Sequence, residues 1–204
     1  MNNEQLLHIA SHFAFEGEIE SISILGEGFI NDTYIVKTVG NSPNYILQRK
    51  NHYVFPNVPA IMDNIAAVTA HIKGKVADPM RQTLTITPAR DGKLYAEING
   101  NFWAACLFIE GSKCYDRADS TALARQGGRG IGRFQALLAD FETPLHETIK
   151  GFHNIRHRFA QWDAAVAADR AGRVADLAEE IGWISSRREK MLAFWSLVED
   201  GTIP

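Results

Sequence analysis

The stretch Leu25-Gly26-Glu27-Gly28-Phe29-Ile30-Asn31-Asp32-Thr33-Tyr34-Ile35-Val36 decides the fold. Before it, Ile19 to Leu25 alternates Ile22 and Ile24 with Ser21 and Ser23; after it, Thr33 to Val39 reads as a second extended run. A period of two marks a half-buried strand, and glycine, asparagine and aspartate between two such runs mark a turn. A third run, Tyr45 to Arg49, follows, so this region predicts an antiparallel meander. Glycines in such a turn let the backbone approach a phosphate and aim N–H groups at it, although Gly-Glu-Gly serves equally as an ordinary hairpin turn. A strand rather than a helix comes next, which excludes the dinucleotide-binding fingerprint, and no Gly-Lys-Ser/Thr closes the loop, which excludes a Walker A loop.

Working outward, Asn3 to Phe15 predicts an amphipathic helix with Leu6, Leu7, Ile9, Ala10, Phe13 and Phe15 on one face. Pro59 to Ile72 predicts a second, with Ile61, Ile65, Val68 and Ile72 spaced by three or four. A second strand group comprises Thr83 to Thr87, Lys93 to Ile98 after an Asp91-Gly92 turn, and Phe102 to Ile109 after Asn99-Gly100-Asn101. A helix between two groups of strands is an α+β layer arrangement, with five or six antiparallel strands and one helix in the sheet crossover. Beyond Ser112 the strand pattern stops, and Ala118 to Phe141, Phe159 to Arg170 and Gly172 to Val198 read as helices rich in Ala, Leu, Arg and Glu. The composition shift divides a β-rich lobe, 1–111, from a helical one, 112–204.

The 204 residues are 46% hydrophobic and 22% charged, enough for a buried core and unlike a disordered or fibrous chain. Lys plus Arg is 21 against 24 Asp plus Glu, a net charge of −3 that provides no basic field for nucleic acid. Cys106 and Cys114 do not make a disulfide framework or a four-ligand zinc site, and reduced thiols fit a cytoplasmic setting. No stretch approaches the ~20 consecutive apolar residues of a membrane span, and the N-terminus lacks the features of a secretory signal.

Two further features bear on chemistry. Leu47-Gln48-Arg49-Lys50 places polar residues at a strand exit, with Asp63 and Asn64 on the next helix. A cation facing an acidic or amide side chain there is how kinase-type folds hold nucleotide phosphates. Neighbouring strand residues point to opposite faces, so either Gln48 or Arg49 meets the phosphates; a fixed charge suits phosphate oxygens and favours Arg49. Phe108-Ile109-Glu110-Gly111-Ser112 is an apolar connector whose backbone could meet an adenine edge. Glycine loop, polar strand, helix, further strands and connector come in the order of a kinase-like N-lobe.

The runs LGEGFINDTYIV, YILQRKN, VFPNVPAIMDNIAAVTAHI, FWAACLFIEGSKCYD, GRGIGRFQALLADF and LHETIKGFHNIRHRF resemble the N-acetylhexosamine 1-kinases. These belong to the aminoglycoside phosphotransferase and choline kinase branch of the protein-kinase-like fold, and some relatives are labelled mucin desulfatase. The resemblance implies ATP-dependent, Mg²⁺-assisted phosphorylation of the anomeric hydroxyl of an N-acetylhexosamine. It places Gly26, Gly28, Phe29, Asn31 and Thr33 over the nucleotide phosphates, Gln48 or Arg49 and Asn64 beside them, and Phe108, Ile109 and Glu110 at adenine. Phe152, His153, Asn154 and Arg158 fall in a segment implied to serve the sugar.

The sequence departs from that family in one respect above all. Such kinases carry His-x-Asp-x-x-x-x-Asn, the Asp acting on the attacking hydroxyl and the Asn on Mg²⁺. None of Asp116, Asp119, Asp140, Asp163, Asp169, Asp176 and Asp200 has that setting, and the loop would be expected just beyond Pro204. Neither catalytic residues nor metal ligands are therefore assigned, and no turnover is expected of residues 1–204 alone. Ala104-Ala105 also replaces the Arg and aromatic residue common in relatives. Cys114-Tyr115-Asp116-Arg117 lacks the proline and spacing of a sulfatase centre. Three readings stand: part of a sugar kinase, a non-catalytic module binding nucleotide or a partner, and an α+β domain whose glycine turn has no ligand. An incomplete helical lobe would leave Trp183, Ile184, Leu192 and Trp195 without partners and favour self-association. Otherwise all four tryptophans, including Trp103 and Trp162, read as core.

Overall fold

The computed structural model describes residues 1–26 and 28–203; Glu27, at the centre of the glycine turn, and Pro204, the last residue, lie outside the described residues. The strands are β1 (Ile19–Ile24), β2 (Asp32–Thr38), β3 (Tyr45–Lys50), β4 (Ile86–Thr87), β5 (Ala96–Ile98) and β6 (Asn101–Leu107). They form one antiparallel sheet in the order β1-β2-β3-β6-β4, with β5 also paired to β6. The expected α+β arrangement with an antiparallel sheet is therefore present. Helix α1 (Asn3–Ala10) precedes the sheet; α2 (Val58–Lys73) and the short α3 (Pro79–Gln82) lie in the crossover from β3 to β4.

Turn chemistry explains the best of the strand reading. Asn99 and Gly100 both adopt positive φ, at 51° and 71°, as a two-residue hairpin requires, and they join β5 directly to β6. The strands flanking Asp91-Gly92 are shorter than alternation predicts, at Ile86–Thr87 and Ala96–Ile98. Their neighbours bond elsewhere: Ala14 N–H donates to Pro88 C=O at 3.0 Å, and Arg90 N–H to His12 C=O at 2.8 Å. That pairing also ends α1 at Ala10 rather than Phe15, because Phe13 bridges to Ala89 in extended form.

The sheet has two unlike faces. Tyr34, Val36, Tyr45, Leu47, Trp103 and Ala105 pack with Leu6, Ile9, Ala10 and Phe13 of the N-terminal segment. Phe13, Val36 and Leu47 are fully buried, each stabilising the fold by about 1.5–3 kcal/mol. The buried Tyr45 hydroxyl accepts from Glu16 N–H at 2.9 Å, so its polar atom is satisfied. On the other face Val58 and Met62 of α2 cover Ala104, with Ile65, Ile86, Leu94, Tyr95 and Phe102 around them. Asn57 caps α2, accepting from Ala60 N–H at 3.1 Å.

Two compact units divide at 148/149. The composition shift at 111/112 lies inside the first, because α4 (Thr121–Leu138) is fastened to α2. His71 Nε2 and Lys75 Nζ meet the Leu137 carbonyl at 3.1 and 2.8 Å, and Lys75 also pairs with Asp140. The second unit holds α5 (Ile155–Ala168), a 3₁₀ turn at Ala175–Leu177, α6 (Ala178–Ser185) and α7 (Arg188–Glu199). Asp169 ends α5 in the left-handed region at φ 34°, its carboxylate accepting from Arg173 N–H at 2.8 Å. The single long helix expected over 172–198 is interrupted where Ser186 Oγ and Arg187 Nη1 bond the Trp183 carbonyl at 2.8 and 3.0 Å. Of the tryptophans, Trp103 is core as expected, whereas Trp183 is 55% exposed with Arg187 stacked 3.8 Å above its ring.

Candidate functional site

The glycine loop is closed at its base and tied at its side. Leu25 N–H donates to Thr33 C=O at 2.8 Å, and the Asn31 carboxamide accepts from Asn51 N–H at 2.9 Å, linking the loop to the end of β3. Gly26 stands at φ +72°. A Cβ on Gly28 would lie 2.7 Å from the Asn31 carbonyl oxygen, so the loop in this shape admits only glycine there. Phe29 is fully exposed at the tip.

Register separates Gln48 from Arg49. Thr33, Gln48 and Ala104 form one cross-strand row, and Ala104 is the residue that α2 covers. Asp32, Arg49 and Trp103 form the adjacent row, on the face covered by α1. Arg49 forms an ion pair with Asp32 there. On the α2 face Gln48 Nε2 donates to Thr33 Oγ1 at 2.9 Å, and Lys50 Nζ donates to Gln48 Oε1 at 2.5 Å.

Lys50 is the residue that motif reading passed over. It shares the face of Gln48 because it lies two positions along the same strand, a signal already present in the alternation. Burial pushes its ammonium below the ordinary lysine value, and burial likewise pushes the Cys106 thiol up, against the pull of the Lys50 charge. Among the described residues no carboxylate lies within 4.0 Å of Lys50 Nζ. A half-buried cation without a counter-ion is a ready anion partner. Ile30, Asp32, Arg49, Lys50, Asn51 and His52 are among the residues around a cavity of about 280 Å³ at this strand end.

Asn64 is otherwise engaged. Its Nδ2 donates to His146 C=O at 2.9 Å and its Oδ1 accepts from His146 N–H at 2.8 Å, so the carboxamide holds a loop rather than facing Gln48. Asp63 is exposed on the same helix.

The connector is held at Phe108 and at Glu110. Phe108 N–H donates to Asn44 C=O at 2.9 Å, Asn44 Nδ2 donates to the Glu110 carboxylate at 2.7 Å, and Arg81 Nη1 donates to Glu110 C=O at 2.9 Å. Ile109 C=O accepts from Ser112 N–H at 3.2 Å. Asn44 and Arg81 carry no motif signal, since their partners are brought in only by folding.

In the second unit Asn154 caps α5, accepting from His157 N–H at 3.0 Å. Arg158 is spent locally, Nε and Nη2 on the Phe152 carbonyl at 2.9 and 2.5 Å and Nη1 on Gln161 at 2.8 Å. Phe152 and His153 stack at 4.2 Å between ring centroids. Among the described residues no group of three or more His, Cys, Asp or Glu comes together. No described helix is long and apolar enough to cross a membrane.

Comparison with known proteins places this geometry in a family. The AMP-bound complex of spectinomycin phosphotransferase, APH(9)-Ia, superposes with a TM-score of 0.55 at 11% identity, over 93% of this chain and 57% of that one. The same enzyme with ADP and spectinomycin gives 0.43 at 13% identity, over 89% and 58%. An aminoglycoside phosphotransferase from Alicyclobacillus acidocaldarius gives 0.38 at 12% identity, over 80% and 53%. The chain thus spans little more than half the length of the structures it matches. The model of the phosphotransferase enzyme family, APH, matches residues 21–199, from β1 to the end of α7, and the chain belongs to that family.

Proposed function

We propose that this chain is the nucleotide-binding part of an ATP-dependent sugar kinase that phosphorylates the anomeric hydroxyl of an N-acetylhexosamine. The observation that carries the nucleotide half is the row Thr33–Gln48–Lys50 beneath α2, beside the glycine loop. It sets an ammonium with no carboxylate partner, oriented by Gln48, where a polyphosphate needs positive charge. On this reading Lys50 neutralises phosphate charge, Gln48 orients Lys50, and the loop 26–31 covers the phosphates. Phe108, Ile109 and Glu110 receive the adenine, and Arg49 serves the fold through Asp32. The sugar half is supported by the motif resemblance, with Phe152 and His153 its exposed candidates. The chain's own share of phosphoryl transfer is binding and orientation; no residue here is assigned to take the proton of the attacking hydroxyl.

A second reading, a module that binds nucleotide or a partner without catalysis, draws on the absence of His-x-Asp-x-x-x-x-Asn from the sequence. Calorimetry with ATP and with tripolyphosphate tests the common element, and both are expected to bind. Phosphorus NMR with ATP, Mg²⁺ and N-acetylglucosamine or N-acetylgalactosamine then separates the two readings by whether a sugar 1-phosphate forms once the chain is supplied with a catalytic-loop segment. Failure of both anions to bind would reject both.

A further inference from the structure

We propose that Asn44, assisted by Arg81, is a positioning residue that sets the nucleobase preference of the connector; the inference rests on the nucleotide reading above. Asn44 lies just before β3 and makes bonds in three directions. Its Oδ1 accepts from Thr38 N–H at 3.0 Å, its Nδ2 donates to the Glu110 carboxylate at 2.7 Å, and its C=O accepts from Phe108 N–H at 2.9 Å. Arg81 also holds Glu110, its Nη1 donating to the carbonyl at 2.9 Å. Both the side chain and the carbonyl of Glu110 are therefore fixed, and with them the plane of the peptide before Gly111, itself at φ +70°.

These bonds leave a particular pair open. Among the described residues the Phe108 carbonyl and the Glu110 N–H make no hydrogen bond within the chain, and they stand two positions apart on the connector. An acceptor and a donor in that order match an amino group beside a ring-nitrogen acceptor, the edge that adenine presents. Guanine offers a carbonyl oxygen beside an N–H, the opposite polarity, and would leave each connector group facing its like. Releasing Glu110 would let its N–H turn away, costing the adenine-specific bond while sparing the phosphate contacts at Lys50. Asn44 touches no nucleotide in this scheme and acts through Glu110.

The polarity of the Asn44–Glu110 bond can be broken and then reversed. Asn44→Asp sets two carboxylates against each other but retains an acceptor for Thr38 N–H. Adding Glu110→Gln supplies a donor on the other side and rebuilds the bond in the opposite sense. Calorimetry with ATP, GTP and tripolyphosphate is the readout. The wild-type chain should prefer ATP to GTP, Asn44→Asp and Arg81→Ala should each lose about tenfold of that preference, and tripolyphosphate affinity should stay within about twofold. The double variant Asn44→Asp/Glu110→Gln should regain the preference. A wild-type preference that survives in Asn44→Asp, or is not restored in the double variant, overturns the positioning role and leaves the nucleotide reading standing. No binding of ATP or tripolyphosphate to the wild-type chain overturns both.

Discussion

Lys50 leans back along β3 onto Gln48, its Nζ donating to Oε1 at 2.5 Å, while Arg49 between them turns to the other side of the sheet and pairs with Asp32. On the proposed reading Lys50, not Arg49, meets phosphate. Lys50→Ala should lower ATP affinity by about tenfold or more, as expected for loss of one charge-assisted bond. Arg49→Ala should change it by less than about twofold. Calorimetry ranks the two, and a larger loss in Arg49→Ala would reverse the assignment.

Burial depresses the Lys50 ammonium below the ordinary lysine value of 10.5. Its desolvation therefore costs stability below the lowered value, and the cost is relieved as pH rises through it. Anion binding runs the other way, because the neutral amine has no charge to offer. Tripolyphosphate affinity should fall with rising pH at a lower pH than an ordinary lysine would dictate, and Lys50→Arg should move that limb upward. An affinity flat to pH 10 in the wild-type chain would contradict this.

Gly28→Ala forces a methyl group to 2.7 Å from the Asn31 carbonyl. The loop must open, straining the Asn31–Asn51 bond that ties it to β3. Thermal melts should show about 1 kcal/mol of destabilisation, and ATP should bind more weakly than to the parent. Gly26→Ala, strained by its positive φ rather than by contact, should weaken ATP binding without any clash to relieve.

Asn64 secures the loop at His146 through both ends of its carboxamide. Asn64→Leu removes both bonds and should cost about 1–2 kcal/mol in denaturant melts. Asn64→Asp keeps only the acceptor and should fall between parent and Asn64→Leu. Hydrogen exchange at His146 N–H should rise in the order parent, Asp, Leu.

The second unit exposes Trp183, Phe194 and Met191. His153, Lys190, Met191, Phe194 and Trp195 are among the residues around an open groove of about 780 Å³. Such faces favour association, so sedimentation at rising concentration should show a mass above the monomer, reduced in Phe194→Ser. A single monomeric species throughout would remove the expectation.

Much of the fold was legible because its signals are local. Alternation located β1, β2 and β3, and Asn99-Gly100 located the β5–β6 hairpin through a conformation only such residues adopt readily. The limits of α1, β4 and β5 were not legible, since residues 12–14 pair with 88–90 across a long separation in sequence. The same distinction runs through the site. The Gly28 turn is local and carries a motif, whereas the bonds of Asn64 to His146 join positions far apart in the chain and carry none.

By itself the sequence determined that Gln48 and Lys50 share one face of a strand and that Arg49 takes the other, because the pleat leaves no alternative. What covers each face was settled only by tertiary packing. Val58 and Met62 of α2 cover Ala104 beside Gln48, while α1 lies on the face of Trp103 beside Arg49. A strand's alternation is intrinsic to its backbone, but the surroundings of each face come from helices whose docking depends on apolar surface brought together from remote segments.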